Sequence, residues 1–184
     1  MKREKNENKQ KIVILGYSGS GKSTLAQKLG QRHECEVLHL DCVHWMSGWR
    51  EREKTEKYKI VSDFLNSHDC WVIDGNYKSI CYERRMKEAT QIIFLDFPMH
   101  ICLFRAVKRY FTYRGKSRES ITEGCKEKID KEFLWWILYK GRDKEHKERY
   151  QQVCKLYFDK AIVLKNPKEV KNFLIDYRCD KDYI

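Results

Sequence analysis

The chain has 184 residues, 41% hydrophobic and 35% charged, the ordinary make-up of one compact globular domain with a sizeable core. No stretch reaches the length of a membrane span and residues 1–10 (MKREKNENKQ) lack an apolar signal segment, so neither export nor membrane anchoring is indicated and a cytoplasmic protein is expected. A net charge of +11 brings nucleic acid into consideration as a partner, once the excess has been located.

Residues 1–10 read as a disordered basic tail. KIVIL (11–15) is a short, β-branched run that stops at Gly16, as a buried parallel strand entering a turn would. Residues 22–33 follow as a helix, with Leu25 and Leu29 at helical spacing and Gly30 near the end. EVLHL (36–40) reads as a second strand, residues 56–68 as a helix, WVID (71–74) as a third strand and QIIFLDF (91–97) as a fourth, stopped by Pro98. Met99 to Tyr113 continues as a helix, and residues 114–128, polar and broken by Gly115 and Gly124, read as a mobile loop.

Phe133, Trp136 and Ile137 fall at helical spacing, but Leu134, Trp135, Leu138 and Tyr139 make that run apolar all round, which predicts a helix buried on most sides. Tyr150, Val153, Cys154 and Tyr157 mark one face of another helix. AIVL (161–164) is a fifth strand, and Asn166 and Pro167 have the residue types of an N-cap and a first helical position. Strands alternating with helices predict a parallel sheet covered on both faces, in one domain spanning 11–184 with a lid at about 112–128.

GYSGSGKST, residues 16–24, meets the pattern G-x-x-x-x-G-K-[ST] between a predicted strand and a predicted helix. In that context the amides of Gly16, Tyr17, Ser18, Gly19, Ser20, Gly21, Lys22, Ser23 and Thr24 curl around nucleotide phosphates. Lys22 reaches the β and γ phosphates, and the Ser23 hydroxyl completes a Mg²⁺ site. The dinucleotide pattern G-x-G-x-x-G is absent, so NAD is set aside. A partner carboxylate for the metal is expected at the end of a neighbouring strand, where Asp74 and Asp96 are the candidates, and Asp74 is favoured. Asp41, a third strand-end acid, suits the acceptor.

Arg105, Lys108, Arg109, Arg114, Lys116 and Arg118 fall within residues 105–118 with no acid among them, so the charge excess is concentrated. Arg105 and Arg109 share a helical face, and Arg114 and Arg118 lie in the glycine-flanked loop beyond, an arrangement suited to closing guanidinium groups over a migrating phosphoryl group. The eight cysteines show no CxxC pair and no regular spacing, which favours free thiols in a reducing compartment. His39, Asp41, Cys42 and His44 are a conceivable metal set, but residues packed on one strand end point to opposite faces, and the non-metal reading is preferred.

GYSGSGKST, HLDCVHWMSGW, WVIDGNY, IIFLDFP with the arginines after it, EGC and KIDKEFLWWI together resemble the topology modulation proteins, a bacterial branch of the adenylate-kinase-like P-loop kinases, over residues 11–175. The resemblance implies a three-layer α/β/α fold with a five-stranded parallel sheet of order 2-3-1-4-5 and an arginine lid. It also implies that Asp74 and Gly75 end the third strand, that Arg105 and Arg109 enter the lid, and that Asn166 lies in the loop that touches adenine. Nucleoside monophosphate kinases follow Asp-Gly with a Phe-Pro-Arg run that grips the acceptor phosphate. Here Asn76, Tyr77 and Lys78 stand instead, which counts against such an acceptor. Asp41, His44, Trp45, Trp49 and Arg50 supply aromatic and polar groups for a different small molecule.

The resulting expectation is an ATP- and Mg²⁺-dependent phosphotransferase acting on a small molecule. Lys22, Ser23 and Asp74 serve the donor and metal, Arg105, Arg109, Arg114 and Arg118 the phosphoryl group, and Asp41, His44, Trp45, Asn76, Tyr77 and Lys78 the acceptor. The rival classes are an ATP-binding, DNA-associated regulator without kinase turnover, and a simple NTPase.

Overall fold

In a computed structural model that describes residues 9–115 and 120–179, the five apolar runs form one parallel sheet. Its strands are β1 (Lys11–Gly16), β2 (Glu36–His39), β3 (Trp71–Asp74), β4 (Gln91–Leu95) and β5 (Ala161–Leu164). They lie in the order β2-β3-β1-β4-β5, the 2-3-1-4-5 sequence implied above. The three central strands are the most buried, with Ile12, Val13 and Ile14 of β1 and Trp71, Val72 and Ile73 of β3 each at 0% exposure. Strands flanked on both sides and covered on both faces carry continuous apolar runs for this reason.

Helices α1 (Lys22–His33), α2 (Leu40–His44), α3 (Lys54–Ser67), α4 (Tyr82–Glu88), α5 (Met99–Tyr113), α6 (Lys131–Leu138), α7 (Lys144–Leu156) and α8 (Pro167–Cys179) complete an α/β/α arrangement. The bounds of α1 and α5 are those read from the sequence. Asn166 caps α8, its Oδ1 accepting from Glu169 N at 3.0 Å, while Glu169 Oε2 accepts from Lys165 N at 2.7 Å. This reciprocal arrangement satisfies two backbone donors at the helix start.

Several expectations need correction. The run EVLHL does not stay extended: β2 ends at His39, and Leu40–His44 turns into a short helix followed by a two-stranded ribbon, Trp45–Met46 against Arg50–Glu51. Helix α6 is not buried on most sides, because Trp135 and Trp136 are 58% and 39% exposed and only Ile137 is buried. Its apolar side chains meet α5 and, through Trp136, Gly141 and His146.

Cys35 and Cys70 are joined as a disulfide, with Cα atoms 5.1 Å apart, whereas Cys42, Cys81, Cys102, Cys125 and Cys154 are free. The register explains the pair: Glu36 lies opposite Trp71, so the residues just before β2 and β3 are neighbours. Lys9 pairs with Asp69, and Gln10 O accepts from Trp71 N, so the last two residues assigned to the tail are attached to the domain. The rest of that tail lies outside the described residues. Among the described residues, no helix is long and apolar enough to cross a membrane.

Candidate active site

At the carboxyl end of the sheet, the loop from β1 to α1 wraps the opening of a cleft of about 1280 Å³. Gly21 stands at the N-cap of α1 with φ +95°, a conformation that favours glycine, and no side chain caps the helix. The first turn of α1 contains no acid, so its free amides and partial positive charge remain available for an anion. Gly19 has φ +81°, and a Cβ there would lie 2.3 Å from Cys102 O, so α5 presses directly on the loop. One turn along α5, Arg105 reaches Gly21, where an added Cβ would meet its Nη2 at 2.5 Å.

Lys22 folds back over the loop, its Nζ donating to Gly16 O at 2.9 Å and Tyr17 O at 3.0 Å. Burial pushes its pKa down, while the charges of Asp41 and Asp74 oppose that shift. Ser23 Oγ donates to Asp74 Oδ2 at 2.9 Å, and His39 Nδ1 bonds to the other carboxylate oxygen. Both oxygens of Asp74, a residue only 5% exposed, are thereby held at the end of β3. Ser23 and Asp74 offer two hard oxygen ligands, a donor set that fits a Mg²⁺ shared with nucleotide phosphates. Asp96, the other strand-end candidate, does not line the cleft.

Across the cleft, Tyr77 Oη donates to Asp41 Oδ1 at 2.8 Å. Burial, and after it the Asp41 charge, pushes the Tyr77 hydroxyl well above its ordinary pKa, so it remains a donor. The Tyr77 ring stacks on His44 with centroids 4.5 Å apart, and Trp45 meets His44 edge-on at 4.6 Å. Trp49 extends the aromatic wall, 5.7 Å from Trp45. Arg85, wholly buried, supports this loop from behind by donating to Tyr77 O at 2.6 Å and Ile80 O at 2.9 Å. Of the conceivable metal set, His39 turns toward Asp74, while Asp41 and His44 both contact Tyr77.

Most of the predicted residues meet in this cleft: Tyr17, Ser18, Gly19, Gly21, Lys22, Ser23, Thr24, Asp41, His44, Trp45, Asp74, Asn76, Tyr77, Lys78, Arg105 and Arg109 all line it. Asn76 lines it but turns its amide back, donating from Nδ2 to Gly16 O at 2.7 Å and accepting from Gly16 N at 3.1 Å. Its amide therefore ties the loop after β3 to the end of β1 and is not directed at an acceptor. Arg109 Nε donates to Glu127 Oε1 at 2.7 Å. Arg114 is exposed and absent from the cleft lining, with its main chain bridged to Glu127. Arg118 lies outside the described residues. Asn166 does not line the cleft, and Gly16 and Ser20 lie behind its surface.

Two arginines that the sequence reading did not single out line the cleft as well, Arg142 and Arg149. The Arg142 guanidinium lies 3.7 Å from the centre of the Tyr17 ring and donates to Phe97 O at 2.9 Å. Their sequence signal is weak, because they stand among the lysines and glutamates of residues 140–149, and only the packing of α7 against the sheet, together with the turn Lys140–Arg142 before it, brings them near the phosphate loop.

Comparison with known proteins agrees with this geometry. Over 77% of its length the chain is 31% identical to the uncharacterized protein YqaC of Bacillus subtilis (strain 168), covering 79% of that protein. It is 26% identical to a uridine kinase of Proteus mirabilis (strain HI4320), with 68% of this chain and 80% of that one covered. Among solved structures it resembles the deoxyadenosine kinase of M. mycoides with bound dATP at a TM-score of 0.52 and 16% identity, covering 92% and 100% of the two chains. A shikimate kinase of Bacteroides thetaiotaomicron superposes at 0.50 and 14% identity, over 94% and 98%. The fold is that of P-loop kinases, and since residues 12–134 match the family described as AAA domain, the chain belongs to that family.

Proposed function

We propose that the protein is an ATP-dependent, Mg²⁺-requiring kinase of a small molecule. The carrying observation is that Lys22 and the Ser23–Asp74 pair stand in the same cleft as the Asp41–Tyr77 pair, with Arg105, Arg109, Arg142 and Arg149 also lining it. The loop amides and Lys22 bind the triphosphate. Ser23 and Asp74 hold the magnesium, which supplies charge neutralisation at the phosphates when bound. Arg105 and Arg142, both close to the loop, stabilise charge on the migrating group. Asp41 orients the acceptor and takes its proton, while Tyr77 fixes one of the Asp41 oxygens.

Little covalent chemistry is asked of the protein, and positioning with electrostatics carries the rate. The kinase names of the Proteus relative and of the structural neighbours support this reading, as does the resemblance of the motifs to those of topology modulation proteins. Acceptor-dependent ADP formation tests it. ATP binding by calorimetry together with ADP release that rises on adding an acceptor is the expected result. Full-rate ADP release with water alone would identify an NTPase, and no ATP binding would end the proposal.

A further inference from the structure

Charges are not shared evenly between the two ends of the cleft. Lys22, Arg105 and Arg142 gather at the phosphate loop, and among the described residues no carboxylate pairs with Arg105 or Arg142. At the other end the cations meet acids. Lys128 Nζ lies 2.7 Å from Asp130 Oδ2 and Lys78 Nζ lies 3.9 Å from Glu145 Oε1, while behind the lining the buried Lys57, beneath His44, lies 2.6 Å from Glu51 Oε1. Arg109, whose charge also acts on Lys22, has its Nε 2.7 Å from Glu127 Oε1. Asp41 accepts from the neutral Tyr77 hydroxyl while its charge also acts on Lys22, and Glu132 adds another acid to the lining. Lys128 also sits 5.5 Å from the centre of the Trp49 ring, so its charge is spent on a carboxylate and an aromatic face.

A phosphate or carboxylate entering this end would have to compete with the carboxylates already beside Lys78 and Lys128 and would meet the Asp41 charge, a cost that works as rejection. An uncharged ring would find the faces of His44, Trp45 and Trp49, and a hydroxyl on it would find an acceptor oxygen. Resting on the kinase reading above, we infer that the phosphoryl acceptor is an uncharged, ring-bearing alcohol of the nucleoside or sugar type, and that acceptors carrying phosphate or carboxylate are turned away. In the transfer, the alcohol oxygen bonds to the γ-phosphorus and the bond from that phosphorus to the β–γ bridging oxygen breaks. The alcohol proton passes to the Asp41 carboxylate, and ADP leaves with the electron pair.

The test uses the full chain and γ-labelled ATP with matched pairs: uridine against uridine 5′-monophosphate, deoxyadenosine against its 5′-monophosphate, and glucose against gluconate. The uncharged member of at least one pair is expected to be labelled about tenfold faster or more than its anionic partner. Equal or faster labelling of the anionic members overturns the inference and leaves the kinase reading standing. Failure to label any member while ATP still binds also overturns it, whereas loss of ATP binding itself defeats the kinase reading.

A second arm uses Asp130→Asn. Asp130 Oδ1 caps α6 by accepting from Phe133 N at 2.8 Å, a role asparagine keeps, so the change releases Lys128 without removing the cap. The preference for the uncharged member should narrow by about threefold or more, through a lower KM for the anionic one. An unchanged preference would show that charge pairing does not select the acceptor.

Discussion

Gly16–Thr24 and Asp41–Trp49 meet the same cleft from opposite ends and are held by different means. The first is shaped by main-chain conformation, with positive φ at Gly19 and Gly21 and the uncapped start of α1. In the second, side chain braces side chain: Arg85 holds the Tyr77 backbone, Tyr77 holds Asp41, and His44 stacks on Tyr77 over the Lys57–Glu51 pair. A main-chain cradle depends on its own glycines and tolerates varied neighbours. A side-chain network depends on each neighbour, and so it can be altered to suit another substrate.

If that contrast holds, changes at the loop should damage ATP binding, and changes at the other end should spare it. The largest effect is expected for Lys22→Ala, which should weaken ATP binding by about 100-fold with an unchanged far-UV circular dichroism spectrum. Calorimetric affinity equal to that of the parent would remove the loop from its assigned task. Next comes Arg105→Ala, for which kcat should fall by about 100-fold while the ATP Kd changes less than about threefold. Equal losses in both would make Arg105 a ground-state ligand.

Tyr77→Phe keeps the stack on His44 and removes the donor to Asp41. We expect kcat/KM for the acceptor to drop about tenfold, with ATP affinity unchanged. A matching fall in ATP affinity would erase the distinction between the two ends.

The smallest effect concerns pH. Burial, and after it the Lys57 charge, holds the His44 pKa below its ordinary value of 6.5. The unfolded chain therefore takes up a proton that the folded protein resists, so this part of the stability is present above that value and is lost as pH falls through it toward the lowered folded pKa. His44→Phe should flatten that acid limb, by about two degrees of Tm between neutral and mildly acidic buffer. Parallel Tm profiles for parent and variant would show that His44 does not titrate in this way.

How much of the molecule could be read from its sequence follows the same division. The strands, the bounds of α1 and α5, and the phosphate loop are encoded in local runs and spacings, so they were visible. What was hidden depends on contacts between distant segments. Cys35 and Cys70 become neighbours only through the parallel register of β2 and β3, although each stands immediately before its strand, which is the clue that was available. Asn76, beside Asp74 and Tyr77 in sequence, looked like an acceptor ligand, but the end of β1 offered its amide a donor and an acceptor on one residue. Arg149 comes to the site by the packing of α7 and Arg142 by the turn just before that helix, which no local pattern records. Arg114 was grouped with the lid cations by its charge-rich segment, but it is exposed and does not line the cleft that its neighbour Tyr113 reaches.

Residues 120–127 are stitched to the ribbon segment rather than lying loose above it. Thr122 Oγ1 donates to the main-chain oxygens of Cys42 and Trp45, Cys125 Sγ lies 3.2 Å from Met46 O, and Gly124 packs so closely on Ser47 that a Cβ would come within 2.2 Å of its Oγ. The flap and the wall that greets the incoming molecule therefore form one mechanical part. Reshaping that wall requires refitting both together, and a chimaera that exchanges one without the other inherits a flap that no longer seats.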